Sequence, residues 1–278
     1  SKYNSENQRL WTYAIESRAD FGSTIVHSID IDSENNIIAQ GSFGGSVDFD
    51  MKENQEYILS SGFDPDGNGV FFNHEFKPFI AKYTSDGDLI WVKTMDHKPT
   101  PSNVFTSMFY GTRVVLDQYN NVYFNGLLAS DENATPLDID SNPDNAFYVN
   151  FPEPNRYYSA IMKLDVDGNF LYVKLLDPQL ALTQSVAARA SLSVFDDTMV
   201  YLFIHQSGGD GIDLNYESGD PVFVEESLYK EIAVLYDLQG NYLNHVVLDD
   251  YSDEMANGGY QWIIMRPTRP MVDPFGNI

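Results

Sequence analysis

Apolar and polar residues alternate in short runs along most of the chain. Runs rich in Val, Ile, Tyr and Phe are separated by Asp, Asn and Gly. That period-two pattern predicts strands joined by tight turns. A loose 3.6-residue spacing over Gln179–Ala190 is the one helix candidate. The fold class predicted is therefore all-β.

The strand pattern repeats. Ile29-Asp30-Ile31-Asp32-Ser33-Glu34-Asn35-Asn36-Ile37-Ile38 returns as Val114–Tyr123. It returns more weakly as Leu192–Tyr201, and a fourth copy begins at Met271. Aligning Ile37, Val122, Val200 and Ile278 gives spacings of 85, 78 and 78 residues, about 78 per repeat. A second module, Phe79–Lys93, recurs at Ala160–Lys174 and Ile232–Val247. Its turn glycines Gly87, Gly168 and Gly240 are 81 and 72 apart. Between the two modules lies a shorter echo: Val47-Asp48-Phe49-Asp50, Leu137-Asp138-Ile139-Asp140 and Ile212-Asp213-Leu214-Asn215.

Each repeat thus holds two hairpins, strands a and b and strands c and d, with Asn and Gly where a tight reversal needs positive φ. Four antiparallel strands per repeat predict one blade of a β-propeller. One blade cannot bury both its faces, so such repeats stack. Trp11–Ile15 matches Trp91–Met95 and is expected to act as a lone strand d that closes the last blade, with residues 1–10 as an N-terminal segment. Residues 11–278 then hold three blades and the start of a fourth. Ile278 falls at the start of a strand b, so the chain reads as the N-terminal portion of a longer protein.

Composition narrows the function classes. The 278 residues carry 16 basic and 41 acidic side chains, a formal net charge of −25, and no cysteine. Nucleic-acid binding needs clustered Lys and Arg and is excluded as an expectation. Disulfides, zinc–thiolate and iron–sulfur sites and a Cys nucleophile are impossible. No run of about 18 apolar residues suggests a membrane span. Residues 1–9 are polar and lack a signal-peptide core, so export implies a leader already removed.

Ile29–Ile38, Val47–Asp50 and Phe79–Lys93 together resemble the SBBP-type β-propeller repeats of secreted bacterial proteins, especially those of Bacteroidetes. The resemblance covers essentially all of Trp11–Ile278 and fades from the first repeat to the third. Asn36 and Asn121 depart from it by standing at the turn Gly, and Tyr172 and His245 by standing near the Trp position. The resemblance implies export, often by the type IX route, and residence outside the cell or on its surface. It implies no particular activity.

The a–b and c–d turns are tight, whereas the b–c connections are long: Gly44–Pro78, Leu127–Ser159 and His205–Lys230. Long loops on one side of a rigid scaffold are where binding usually sits. These three hold 7, 6 and 6 acidic residues, 19 of the 41. In the first, Asp64-Pro65-Asp66-Gly67-Asn68-Gly69-Val70 through Glu75 fits the D-x-[DN]-x-[DN]-G-x5-E calcium pattern. Asp64, Asp66 and Asn68 would present side-chain oxygens, Val70 its carbonyl and Glu75 a bidentate carboxylate. Calcium is the one cofactor suggested, although strand-like rather than helical flanks favour a plain Asp/Gly turn. Asp138, Asp140, Asn142 and Asp144 form a weaker ladder of the same kind. Asp165, Asp167 and Asn169 read as turn residues only.

Catalytic signals are sparse. His27, His74, His97, His205 and His245 are scattered without ligand spacing, and no nucleophile elbow or phosphate loop occurs. Trp11 and Trp91 read as packing residues. Tyr57, Phe71, Phe72, Phe147, Tyr148, Tyr157, Tyr158 and Tyr216 are the candidates for exposed aromatic contacts. The leading expectation is a secreted or cell-surface propeller acting as a non-enzymatic interaction or structural module, its partner a protein or surface glycan, through an acidic loop face that calcium could organise. The alternative is an extracellular glycan- or peptide-active hydrolase using acids in the same loops. A third is a purely architectural spacer.

Overall fold

The computed structural model describes residues 1–17, 23–52, 55–61, 77–95, 113–140, 144–176, 190–205, 212–216, 219–224 and 230–250. Among them every regular element is a strand, and no helix is long and apolar enough to cross a membrane. All but one residue of the helix candidate, and Asp64, Asp66, Asn68, Val70 and Glu75, lie outside the described residues.

Three four-stranded antiparallel meanders dominate. The first runs β4 (Ser23–Ile31), β5 (Ile37–Gly44), β8 (Lys77–Tyr83) and β9 (Leu89–Thr94). The second runs β10 (Val114–Leu116), β11 (Val122–Ala129), β14 (Tyr157–Leu164) and β15 (Phe170–Leu175). The third runs β16 (Ser191–Phe195), β17 (Thr198–His205), β20 (Lys230–Asp237) and β21 (Tyr242–Asp250). Small sheets sit between strands two and three of each meander. They are β6 (Ser46–Asp48) with β7 (Ile58–Ser60), β12 (Leu137–Asp138) with β13 (Tyr148–Val149), and β18 (Ile212–Asp213) with β19 (Phe223–Val224). β3 (Glu16–Ser17) adds a third strand to the first of these. The b–c connections, read as loops, therefore each contain a short hairpin.

The pairing registers make the repeats superimposable. Ile37 faces Tyr83, Val122 faces Leu164 and Met199 faces Tyr236. Met199, not Val200, is thus the equivalent of Ile37 and Val122. The third a–b turn is only Asp196-Asp197, between paired Phe195 and Thr198, whereas the first spans residues 32–36. Shortening the turn moved the alignment by one. Register also puts Asn244, rather than His245, at the position of Trp91 and Tyr172.

A bulge recurs at one place. Ile90, Leu171 and Leu243 are each an extra residue on the outer strand, between paired neighbours. All three are apolar and exposed. A bulge leaves one residue unpaired and strengthens the local twist.

The chain divides into two compact units, Ser1–Ser107 with Asp138–Tyr148, and Met108–Leu137 with Val149–Ile278. The core of the first unit gathers Ala39, Phe43, Phe79, Ala81 and Tyr83 of the meander with Val47 and Phe49 of its hairpin. Phe49 meets Phe43 and Phe79 edge to face at 5.2 and 4.9 Å, the geometry that aromatic quadrupoles prefer. In the second unit one face of the third meander (Leu192, Met199, Tyr201, Val234, Tyr236) shares a core with the opposite face of the second (Val115, Tyr123, Ile161).

The N-terminal expectation changes. Trp11 belongs to β2 (Arg9–Trp11), which pairs with β1 (Lys2–Tyr3) as a separate ribbon. Its indole N–H and the Lys2 ammonium both donate to Ser85 O, at 3.2 and 2.9 Å, on the first c–d turn. An outer strand needs a third strand with an open edge. Among the described residues each third strand pairs with its own fourth, and Trp11 pairs with Lys2 instead.

Candidate functional site

Among the described residues the recurrent aspartates fall into three structural groups. The first closes the tight turns. Asp32 Oδ1 accepts the Glu34 and Asn36 N–H groups at 2.9 and 2.8 Å, while Oδ2 accepts the Asn36 side-chain amide at 2.9 Å. Asp117, Asp165 and Asp237 do the same with Asn121, Asn169 and Asn241. Asp165, Asp167 and Asn169 are thus turn residues. The left-handed position is Asn35 or Asn120, φ 64° and 63°, one before Asn36 and Asn121. The second Asn is retained for its amide, which the Asp carboxylate holds. These are Asx turns, in which a side chain substitutes for backbone acceptors.

The second group clamps the b–c hairpins. Asp48 Oδ1 accepts the N–H of Asp50 at 3.0 Å and of Tyr57 at 2.9 Å. Asp138 accepts those of Asp140 and Phe147, and Asp213 those of Asn215 and Val222. The offsets, two and nine residues, are identical in all three. A tyrosine completes two of the clamps. Tyr83 and Tyr236 each donate a hydroxyl to the carbonyl after the clamp Asp, Phe49 O at 3.0 Å and Leu214 O at 2.9 Å. Leu164 takes that register position in the second meander. These two tyrosines were missed. Their signal was present as the Tyr after Ala-Lys and Val-Leu in two of three copies. Asp48→Ala removes one acceptor serving two backbone donors, so the expected cost is about 2 kcal/mol. Urea unfolding measures it, and the Tyr57 amide should exchange faster with solvent.

The third group is paired with lysine. Lys82 Nζ lies 2.9 Å from Asp32 Oδ2, with both side chains almost wholly buried. The register-equivalent Lys163 lies 3.8 Å from Asp117. Its ammonium also donates to Leu238 O at 3.1 Å and sits 4.8 Å above the Tyr123 ring. Lys93 donates to Asp140 Oδ2 at 3.2 Å, beside a bridge between Met95 and Asp140. Lys52 pairs with Asp88 on the c–d turn.

Burial alone would raise the Asp32 carboxyl. The Asn36 amide and Lys82 outweigh it and hold the group below the usual carboxylate range. Burial likewise opposes Asp237, which three backbone donors and the Asn241 amide hold low. Burial pulls Lys163 down against the charges of Asp117 and Asp237. Burial pushes the hydroxyls of Tyr83, Tyr123, Tyr172, Tyr201 and Tyr236 well above their ordinary value.

Two members of the weaker acidic ladder are held by the same contacts. Asp138 serves two backbone donors and Asp140 serves Lys93, Asp144 is exposed, and Asn142 lies outside the described residues. Among the described residues no group of three His, Asp or Glu side chains is placed to hold a metal ion. The aromatic candidates divide. Tyr57 and Tyr148 are exposed, Phe147 and Tyr216 are half-buried, and Tyr158 is fully buried. Tyr158 stacks on Phe151 at 5.6 Å and accepts the Glu153 N–H, which makes it a core residue. Phe71 and Phe72 lie outside the described residues. No family model matches the chain, and no curated protein matches it significantly.

Proposed function

We propose that this chain is a β-propeller-type repeat scaffold, secreted or displayed on the cell surface, that binds a protein or a surface glycan through its b–c connections without turning it over. The observation that carries it is a register position. Ile29, Val114 and Leu192 are equivalent, each two residues before the partner of Ile37, Val122 or Met199. Leu192 is 0% exposed and Val114 2%, yet Ile29 is 62% exposed, beside exposed Ile31. Leu192 is covered because β16 lies against β10 and β11 of the second meander. The open row on β4 is then the seat for a further sheet of the same kind. Sheets stacked repeatedly by such faces around an axis form a propeller.

The binding role rests on the division of the acidic residues. Those of the tight turns close the turns, whereas the b–c connections carry further acidic residues besides the clamp aspartates Asp48, Asp138 and Asp213. Export rests on the resemblance to SBBP-type repeats. Calcium rests on Asp64, Asp66, Asn68, Val70 and Glu75, whose oxygens suit a hard cation. The test is a calorimetric melt. A site with Kd near 10 μM gains about 2.7 kcal/mol at about 1 mM calcium, a rise of roughly 5 °C for a chain of this size. Asp66→Ala should abolish the rise. An unchanged melt in both proteins removes calcium from the proposal. Hydrolysis of a peptide or glycan, abolished by Asp66→Ala, would replace the binder by an enzyme.

A further inference from the structure

The first unit contains a groove of about 640 Å³ along β9. All six residues from Leu89 to Thr94 line it. One face of a strand would contribute alternate residues only, so the groove follows the outer border of the strand, which is the end strand of its sheet. The facing wall comes from the b–c hairpin: Asp50, Gln55, Glu56, Tyr57 and Leu59. Ile90, the bulge residue, and Tyr57 stand exposed at its rim.

The geometry points to a binding site for an extended peptide that alternates apolar and basic side chains. A groove that follows a strand border for six residues matches the length and straightness of an extended segment. Leu89, Ile90 and Val92 offer aliphatic contact from the strand, and Leu59 offers it from the facing wall. Trp91 and Tyr57 add aromatic faces to the same lining, but the carboxylates beside the aliphatic strip favour a peptide with basic side chains over a neutral sugar. Asp50 and Glu56 place carboxylates on the opposite wall. The one lysine of the lining, Lys93, is taken up by Asp140. The groove therefore attracts cationic side chains, in a molecule of net charge −25 whose field steers cations toward it.

This reading sharpens the binder proposal by naming a partner class, but it needs neither calcium nor ring closure. The test is fluorescence anisotropy with a labelled octapeptide alternating valine and lysine, with EDTA present throughout. Saturable binding in the micromolar range is expected, weakening as salt is raised. Glu56→Lys, at an exposed position, should weaken it about tenfold and leave the melting temperature in place. Ile90→Asp should weaken it further. Equal binding of a valine–glutamate octapeptide, no saturation at millimolar peptide, or indifference to both substitutions overturns the site. Competition by a neutral gluco-oligosaccharide would assign the groove to a glycan instead. A calcium-dependent rise in melting temperature would be unaffected by any of these results.

Discussion

Raising the pH above 10 should unfold this protein cooperatively over about one to two pH units. Five tyrosines, Tyr83, Tyr123, Tyr172, Tyr201 and Tyr236, have hydroxyls pushed up by burial. A group whose folded-state pKa is raised gives stability that is complete below its unfolded pKa, near 10 for tyrosine. That stability is lost as pH rises toward the folded value. Each such group loses about 1.4 kcal/mol per pH unit in that window, so five lose about 7 kcal/mol per unit. A domain holds about 5–15 kcal/mol in all. Phenolate absorbance near 295 nm and far-UV circular dichroism, followed together, check this. The two should change together for the buried set. Ionisation of all 18 tyrosines with native dichroism retained would contradict it.

Lys82→Leu is expected to cost about 3 kcal/mol, because it strands the buried Asp32 carboxylate. Asp32→Asn keeps the turn acceptor but leaves the Lys82 ammonium buried without its counter-charge, at a similar cost. The double variant should cost well under the total of the two, by about 2 kcal/mol or more. The third meander already contains the apolar solution. Leu235 stands in register with Lys82, and the two-residue turn there needs no clamp. Chemical denaturation of the four proteins gives the coupling. Costs that add to within about 0.5 kcal/mol would mean the pair contributes nothing specific.

The Lys82 result also separates what could be read in the sequence from what could not. Strands and tight turns were legible because alternation and Asp, Asn and Gly act locally. Asp32 and Asn36, or Asp165 and Asn169, form their turns within five residues. The hairpins inside the b–c connections were hidden because their strands are two or three residues long, too short for a period to register. The clamp Asp was visible as an echo, yet its partners lie nine residues on, in Tyr57, Phe147 and Val222, which share no side-chain type. The bulges had a signal that went unused. Leu89-Ile90, Phe170-Leu171 and Tyr242-Leu243 each double an apolar residue and break the alternation just after the turn. The placing of Trp11 failed for another reason. Its likeness to Trp91 was real in sequence, but strand pairing depends on which edges are open.

Some of the charge, first a bar to nucleic acid, is architecture. Asp32, Asp117, Asp165 and Asp237 close turns, Asp48, Asp138 and Asp213 close hairpins, and Asp140 takes a lysine.

The stacking of register-equivalent sheets is the central claim, and the absence of cysteine allows a clean test. Ile29→Cys, Val114→Cys and Leu192→Cys place one thiol each at the same position of the three repeats. The measurement is their rate of reaction with a disulfide reagent under native conditions. The Ile29→Cys thiol should react at the rate of an open thiol. The other two should be slowed by about 100-fold or more, since both positions are buried and react only on local opening, which for Leu192 parts the second and third sheets. Equal rates at all three positions would contradict the account.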